Sequence, residues 1–220
     1  MQDNIQAIKK SLPKEVTLIV VTKTYSHEMI LQAYDAGIKI FGENKVNEML
    51  KKYEALPKDI EWHFIGHLQT NKVKYIASFV KLIHSVDSLK LLHEINKQGL
   101  KNNRVIDCLL QIYIAKEETK FGMDQKEAEE LLLSEAFKKL HNIKIIGLMG
   151  IATNTDNIEQ VRNEFRSLKT FYDKLQSRNH NLQILSMGMS SDYTFAIEEG
   201  SNMIRIGSAI FGKAAILRDI

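Results

Sequence analysis

The chain has 220 residues, 44% of them hydrophobic, and a formal net charge of +3 from 30 Lys and Arg against 27 Asp and Glu. That length is slightly short for a barrel domain but ample for a buried core, and the mild basic excess, scattered as in Lys72-Val73-Lys74 and Lys138-Lys139, argues against a nucleic-acid partner. A single cysteine, Cys108, rules out an internal disulfide and fits a reducing compartment; with no signal-type apolar core near Met1 and no run of transmembrane length, a soluble cytoplasmic chain without a membrane partner is expected.

From the N-terminus, short apolar runs rich in β-branched residues alternate with longer amphipathic stretches. The runs cover residues 16–22, 38–41, 62–65, 80–84, 106–114, 143–148, 184–187 and 203–206, each continuous and bounded by turn-type residues, as in strands buried on both faces. Cys108 falls inside the fifth run as a small core residue. Between the first two runs, Met29, Ile30, Ala33 and Tyr34 recur at helical spacing, and after the second so do Val46, Met49, Leu50 and Tyr53. Ser88 reads as the N-cap of a helix carrying Leu91, Leu92 and Ile95. Residues 157–175 read as the longest helix, with Val161, Phe165, Leu168 and Tyr172 on one stripe. Eight strands alternating with helices predict a parallel sheet, and roughly 27 residues per unit is near the minimum for a βα unit. A closed (β/α)₈ TIM barrel of the α/β class, with residues 1–220 in one domain, is the first expectation. A doubly wound open sheet is the alternative, weakened by the lack of a Gly-x-Gly-x-x-Gly or Walker-type loop.

In such a barrel the chemistry sits at the C-terminal ends of the strands. Strand one ends at Val21-Thr22-Lys23-Thr24, so Lys23 is expected to project into the barrel mouth, where desolvation favours the neutral amine that Schiff-base chemistry needs. A solvent-facing lysine is the plainer alternative. Strand two ends at Phe41-Gly42-Glu43-Asn44, where Asn44 suits either a helix cap or an amide aimed at a ligand. Strand three ends at His63-Phe64-Ile65-Gly66-His67. A strand holds those two histidines roughly 13 Å apart, so no zinc site is expected, although His67 can line the mouth. After strands seven and eight come Ser186-Met187-Gly188-Met189-Ser190-Ser191-Asp192 and Arg205-Ile206-Gly207-Ser208-Ala209-Ile210-Phe211-Gly212. These positions form the usual phosphate site of the fold: small residues admit an anion to backbone N–H groups, and Ser190 and Ser208 add hydroxyl donors. A strand-end lysine and a phosphate cradle fit a phosphorylated carbonyl compound without saying which.

Taken in order, Val21-Thr22-Lys23-Thr24, Phe41-Gly42-Glu43-Asn44, the run from Trp62 to Lys72, Ser85-Val86-Asp87-Ser88, Lys120-Phe121-Gly122 and the two loops just described closely resemble the pyridoxal phosphate homeostasis protein family over nearly the full chain. Each motif is short, but the ordered set is specific. The resemblance implies a barrel like the N-terminal domain of alanine racemase, with fold type III binding of pyridoxal 5′-phosphate (PLP). It implies that Lys23 carries PLP covalently as an internal aldimine, that Asn44 lies beside the ring, and that Ser190, Gly207 and Ser208 hold the phosphate. Arg205 falls where racemase-like barrels place an arginine near the pyridine nitrogen, or else within reach of the phosphate; a structural ion pair is the plainer alternative. An arginine at that nitrogen stays protonated and cannot accept a proton from a pyridinium, which leaves the cofactor a poorer electron sink.

After Gly212 only residues 213–220 remain, so the second domain of alanine racemase, with its acid/base tyrosine, is not expected. A racemase needs groups on opposite faces of the α-carbon, and Tyr25, so near Lys23 in sequence, is poorly placed to oppose it. The expected function is a PLP buffer or carrier without catalytic turnover and without a metal, monomeric or weakly dimeric, with PLP-dependent apo-enzymes as candidate recipients. A minimal amino-acid racemase is the runner-up. A Schiff-base aldolase acting on a sugar phosphate is the third reading.

Overall fold

The computed structural model describes residues 1–116, 121–178 and 181–212, so Lys120 and residues 213–220 lie outside the described residues. The chain runs α1 (Gln2–Ser11), β1 (Thr17–Val21), α2 (His27–Asp35), β2 (Ile40–Glu43), α3 (Val46–Ala55), β3 (Glu61–Phe64), a 3₁₀ turn (Thr70–Lys72) leading into α4 (Val73–Ile76), and β4 (Leu82–Val86). It continues through α5 (Leu89–Lys101), β5 (Ile106–Ile112), α6 (Gln125–Leu133), α7 (Glu135–Lys138), β6 (Ile143–Gly150), α8 (Ile158–Ser177), β7 (Ile184–Ser186), α9 (Tyr193–Glu198), β8 (Met203–Ile206) and α10 (Ser208–Phe211). The eight strands form a closed barrel in sequence order, and β8 pairs in parallel with β1. The open-sheet alternative is therefore excluded.

The strands read as unbroken apolar runs because both of their faces are buried. Alternate side chains divide between two layers. Val20, Phe41, Ile83, Leu110 and Ile204 face outward into the large core shared with the helices. Ile19, Leu82, Leu109, Met149 and Met203 face inward and fill the barrel itself. The same alternation aims His63, His84, Ser186 and Arg205 inward. They form a buried polar layer, and it begins where the apolar filling ends.

The expected caps form. Ser88 accepts from Leu91 N at the start of α5, and Asn157 accepts from Gln160 N at the start of α8, the longest helix. Several strand limits differ from the sequence expectation for a local reason. The second run was expected to start at Ile38, but Ile38 N–H bonds to Ala33 O and so closes α2; the strand begins at Ile40. Likewise Val80 N–H bonds to Ile76 O at 2.8 Å, which leaves β4 to start at Leu82 and run on through His84 to Val86. The sequence reading also assigned no helix to residues 2–11, where α1 buries Ile5 and Ile8. Among the described residues, no helix is long and apolar enough to cross a membrane.

Candidate functional site

A cavity of about 710 Å³ opens at the C-terminal end of the barrel. Its lining includes Lys23, Tyr25, Ser190, Arg205, Gly207 and Ser208. Five of the six expected site residues thus share one space. Val21 lines it too. In β1 the inward positions alternate from Ile19 in the barrel filling to Val21 in the cavity wall, and the next inward position is Lys23.

Lys23 is exposed at the cavity edge. This corrects the expectation that the barrel mouth desolvates the amine: the strand ends at Val21, and Lys23 lies two residues past its buried end. Thr24, the next residue, has φ +69°. A β-branched side chain in the left-handed region is strained. Thr24→Gly is therefore expected to raise stability by about 1 kcal/mol, read from the urea midpoint at constant m; a lower midpoint would contradict the strain.

Across the cavity, Ser190 Oγ accepts from two backbone groups, Gly207 N at 3.2 Å and Ala209 N at 3.3 Å. Two amides from one turn therefore converge on one oxygen, an arrangement suited to anions. Gly207 keeps that turn open, because a Cβ there would lie 3.3 Å from Val21 O. Ser208 is exposed at the start of α10. Tyr25 spans from the Lys23 loop to the far side of this turn: its hydroxyl donates to Gly212 O at 2.9 Å, and its ring packs 4.2 Å from that of Phe211.

Arg205 is buried in the cavity wall, and among the described residues it makes no ion pair, which corrects that plainer reading. Its Nη1 donates to Ser186 O at 2.9 Å and Ser186 Oγ at 2.6 Å, and Nη2 donates to Gly150 O at 3.0 Å. Hydrogen bonds to a charged group of this kind contribute about 1.5–3 kcal/mol each. Burial pushes the guanidinium down to about 10, against an opposing effect of Asp192. The polar layer continues behind it: His84 Nδ1 lies 3.1 Å from Ser186 Oγ, and His84 Nε2 lies 3.0 Å from His63 Nδ1.

Asn44 stands apart from the other five. It lines a second cavity, about 280 Å³, at the ends of β2 and β3, together with Phe64, His67, Gln69 and Lys72. It is not a cap: the N-cap of α3 is Lys45, with no side-chain bond. Asn44 Oδ1 is buried and has no hydrogen-bond partner among the described residues. Gly66 is pressed against its backbone, where a Cβ would come within 2.2 Å of Asn44 O. The two histidines considered for a metal pair separate as strand geometry demands. His63 turns into the barrel toward His84, while His67 pairs with Asp87 at 3.2 Å.

Two residues missed in the sequence lie directly behind Lys23. Glu43 faces outward from β2, and Lys52 reaches it from α3 at 2.6 Å, both almost fully buried. Lys52 Nζ also donates to Thr22 O at 2.8 Å, and Thr22 Oγ1 donates to Glu43 Oε1 at 2.6 Å. Burial pushes the Glu43 carboxyl up, and Lys52 and Thr22 oppose the shift. The available signal was a lysine in register with the apolar stripe of α3, three residues after Met49 and six after Val46.

The family model described as "Alanine racemase, N-terminal domain" matches residues 1–215. The chain is 48% identical over 199 residues to a pyridoxal phosphate homeostasis protein of Aquifex aeolicus, an alignment covering 89% of this chain and 86% of the relative. PipY of Synechococcus elongatus is 33% identical and has been solved without PLP and with PLP bound. Its two structures superpose with TM-scores of 0.90 and 0.87, each over 96% of this chain and 99% of PipY. Alanine racemase of Clostridium difficile 630 shares the fold, with a TM-score of 0.81 at 16% identity, over 97% of this chain and 56% of the racemase chain.

Proposed function

The chain belongs to the pyridoxal phosphate homeostasis protein family, and from that premise we propose that it binds PLP in the Lys23 cavity, covalently through Lys23 Nζ, and buffers or delivers the cofactor without turning over a substrate. The observation that carries this reading is the cavity that Lys23 shares with the Ser190, Gly207 and Ala209 turn, whose amides already converge on an oxygen. When bound, PLP supplies an electrophilic aldehyde carbon and an electron-withdrawing ring. Lys23 provides the amine. Ser190, Gly207 and Ser208 provide donors for the phosphate, and Arg205 provides a fixed cation that stays protonated at neutral pH. The unpartnered Oδ1 of Asn44 fits a polar partner supplied from outside the chain. PipY with PLP bound supports the same choice of ligand.

The case against turnover rests on how the acid/base groups are arranged. Among the described lining residues, Lys23 and Tyr25 sit on one loop, and the tyrosine hydroxyl is committed to Gly212 O. Burial raises the Tyr25 phenol further. Proton transfer on both faces of an α-carbon needs a second group opposite the first. Transfer to apo-enzymes and a cytoplasmic setting complete the proposal, the latter in keeping with the lone buried thiol of Cys108.

Incubating the PLP-loaded chain with L-alanine tests the non-catalytic reading by chiral chromatography. D-alanine is expected to stay at the level of a Lys23→Ala control. Accumulation over many turnovers above that control would replace the carrier with a racemase.

A further inference from the structure

We infer that Glu43 and Lys52 are positioning residues for Lys23: their buried ion pair, with Glu48 beside it, fixes the two peptide planes that flank the Lys23 Cα. The inference deepens the proposed function and rests on it. The carbonyl of Thr22 and the N–H of Lys23 belong to one planar peptide unit. Lys52 Nζ donates to that carbonyl at 2.8 Å, beside the turn bond from Tyr25 N–H at 3.1 Å, and Glu43 Oε1 accepts from the Thr22 hydroxyl at 2.6 Å. The next plane carries the Thr24 N–H, which Glu48 Oε2 accepts at the longer distance of 3.5 Å. With both planes held, φ and ψ of Lys23 are set, and so is the direction in which its side chain leaves the backbone. Thr24, with its strained φ of +69°, is the third residue of the turn that Tyr25 N–H closes onto the Thr22 carbonyl at 3.1 Å.

Stability alone does not account for the pair. Its side chains are 6% and 0% exposed, and an ion pair buried this deeply is commonly no more stabilising than two apolar side chains of similar volume. Apolar residues would pack α3 against β2 equally well. They would take the Lys52 ammonium away from the Thr22 carbonyl and leave it the longer turn bond from Tyr25 N–H at 3.1 Å. In the covalent step Lys23 Nζ attacks the aldehyde carbon of PLP, C=N replaces C=O, one water leaves and no electrons are transferred to an outside acceptor. Holding the amine in the attack direction accelerates that step and leaves the phosphate contacts alone.

The test compares two ligands on the Glu43→Leu/Lys52→Met double variant, which removes both charges together and leaves no lone buried ion. PLP reports covalent capture through the growth of its visible band. Pyridoxine 5′-phosphate, which has no aldehyde, reports the ring and phosphate contacts through equilibrium binding. Capture is expected to slow about tenfold or more, with pyridoxine 5′-phosphate affinity held within about twofold. Glu48→Ala, at a more accessible position, is expected to slow capture in the same direction by a smaller factor. Capture at the wild-type rate in the double variant would overturn the inference, and so would an equal loss for both ligands, which marks a purely structural role. If the wild-type chain itself captures no PLP at Lys23, the proposed function fails first, and the inference goes with it.

Discussion

Lys23→Ala is expected to abolish covalent capture of PLP while leaving phosphate-directed binding in place. Lys23 is the lysine in the described lining of the larger cavity. The nearby Lys52 is buried, with its ammonium committed to Glu43 and the Thr22 carbonyl, and Lys45 and Lys72 belong to the second cavity. The amides of Gly207 and Ala209 do not depend on residue 23. The variant mixed with PLP should therefore retain the ligand as the free aldehyde, show no shifted visible band and yield no borohydride-stable adduct. A band of undiminished intensity in Lys23→Ala would move the linkage to another lysine and undo the assignment.

The second large effect is loss of stability in acid, driven by the polar layer inside the barrel. Burial pushes His63 down to about 3, and Lys81 adds to the shift. Burial also pushes His84 well below its ordinary value, with His63 and Arg205 acting in the same direction. Both rings are therefore neutral in the folded chain at pH values where the unfolded chain, with ordinary histidines near 6.5, is protonated. The unfolded state binds more protons, so stability is fully present above about pH 6.5 and falls as the pH drops from there toward about 3. With two such groups, the slope approaches about 2.7 kcal/mol per pH unit. Against a typical stability of roughly 5–15 kcal/mol, that brings unfolding well within the acid range. Exposed carboxylates held low by partners, such as Asp59 beside Lys39, add their own acid loss, which cancels when two proteins are compared. Urea midpoints at about pH 7 and about pH 5 should show His84→Gln losing less on acidification than the wild type, by about 1.4 kcal/mol per pH unit at the limit. Identical slopes would mean that His84 accepts a proton in the folded chain.

The barrel was legible because each strand is buried on both faces, which turns it into a continuous apolar run, and because eight such runs alternate with amphipathic stretches. Its strand limits were less legible, since Ile38 and Val80 are as apolar as any strand residue and only their hydrogen bonds place them in helix ends. The apolar run at 80–84 ends at His84 in the sequence because histidine and serine read as polar, yet the strand continues through Ser85 to Val86. Lys23, Ser190, Gly207 and Ser208 were legible as candidates because the fold puts chemistry at strand ends, Arg205 was a candidate through the family resemblance, and one cavity gathers all five. Asn44 faces a different cavity, a distinction that residue type does not carry. The exposure of Lys23 also escaped the sequence, because an apolar strand says nothing about how far past its end a side chain emerges. The partnerships of Glu43 with Lys52 and of His84 with Ser186 join separate elements, and no spacing along one element announces them.

Covalent attachment of PLP to Lys23 is tested by the visible absorption spectrum of the purified chain before and after borohydride reduction, followed by peptide mass spectrometry. The expected result is a visible band that reduction removes, with a single phosphopyridoxyl group mapped to Lys23. A chain that stays colourless and unmodified after incubation with PLP, or one whose adduct maps to another lysine, would contradict it.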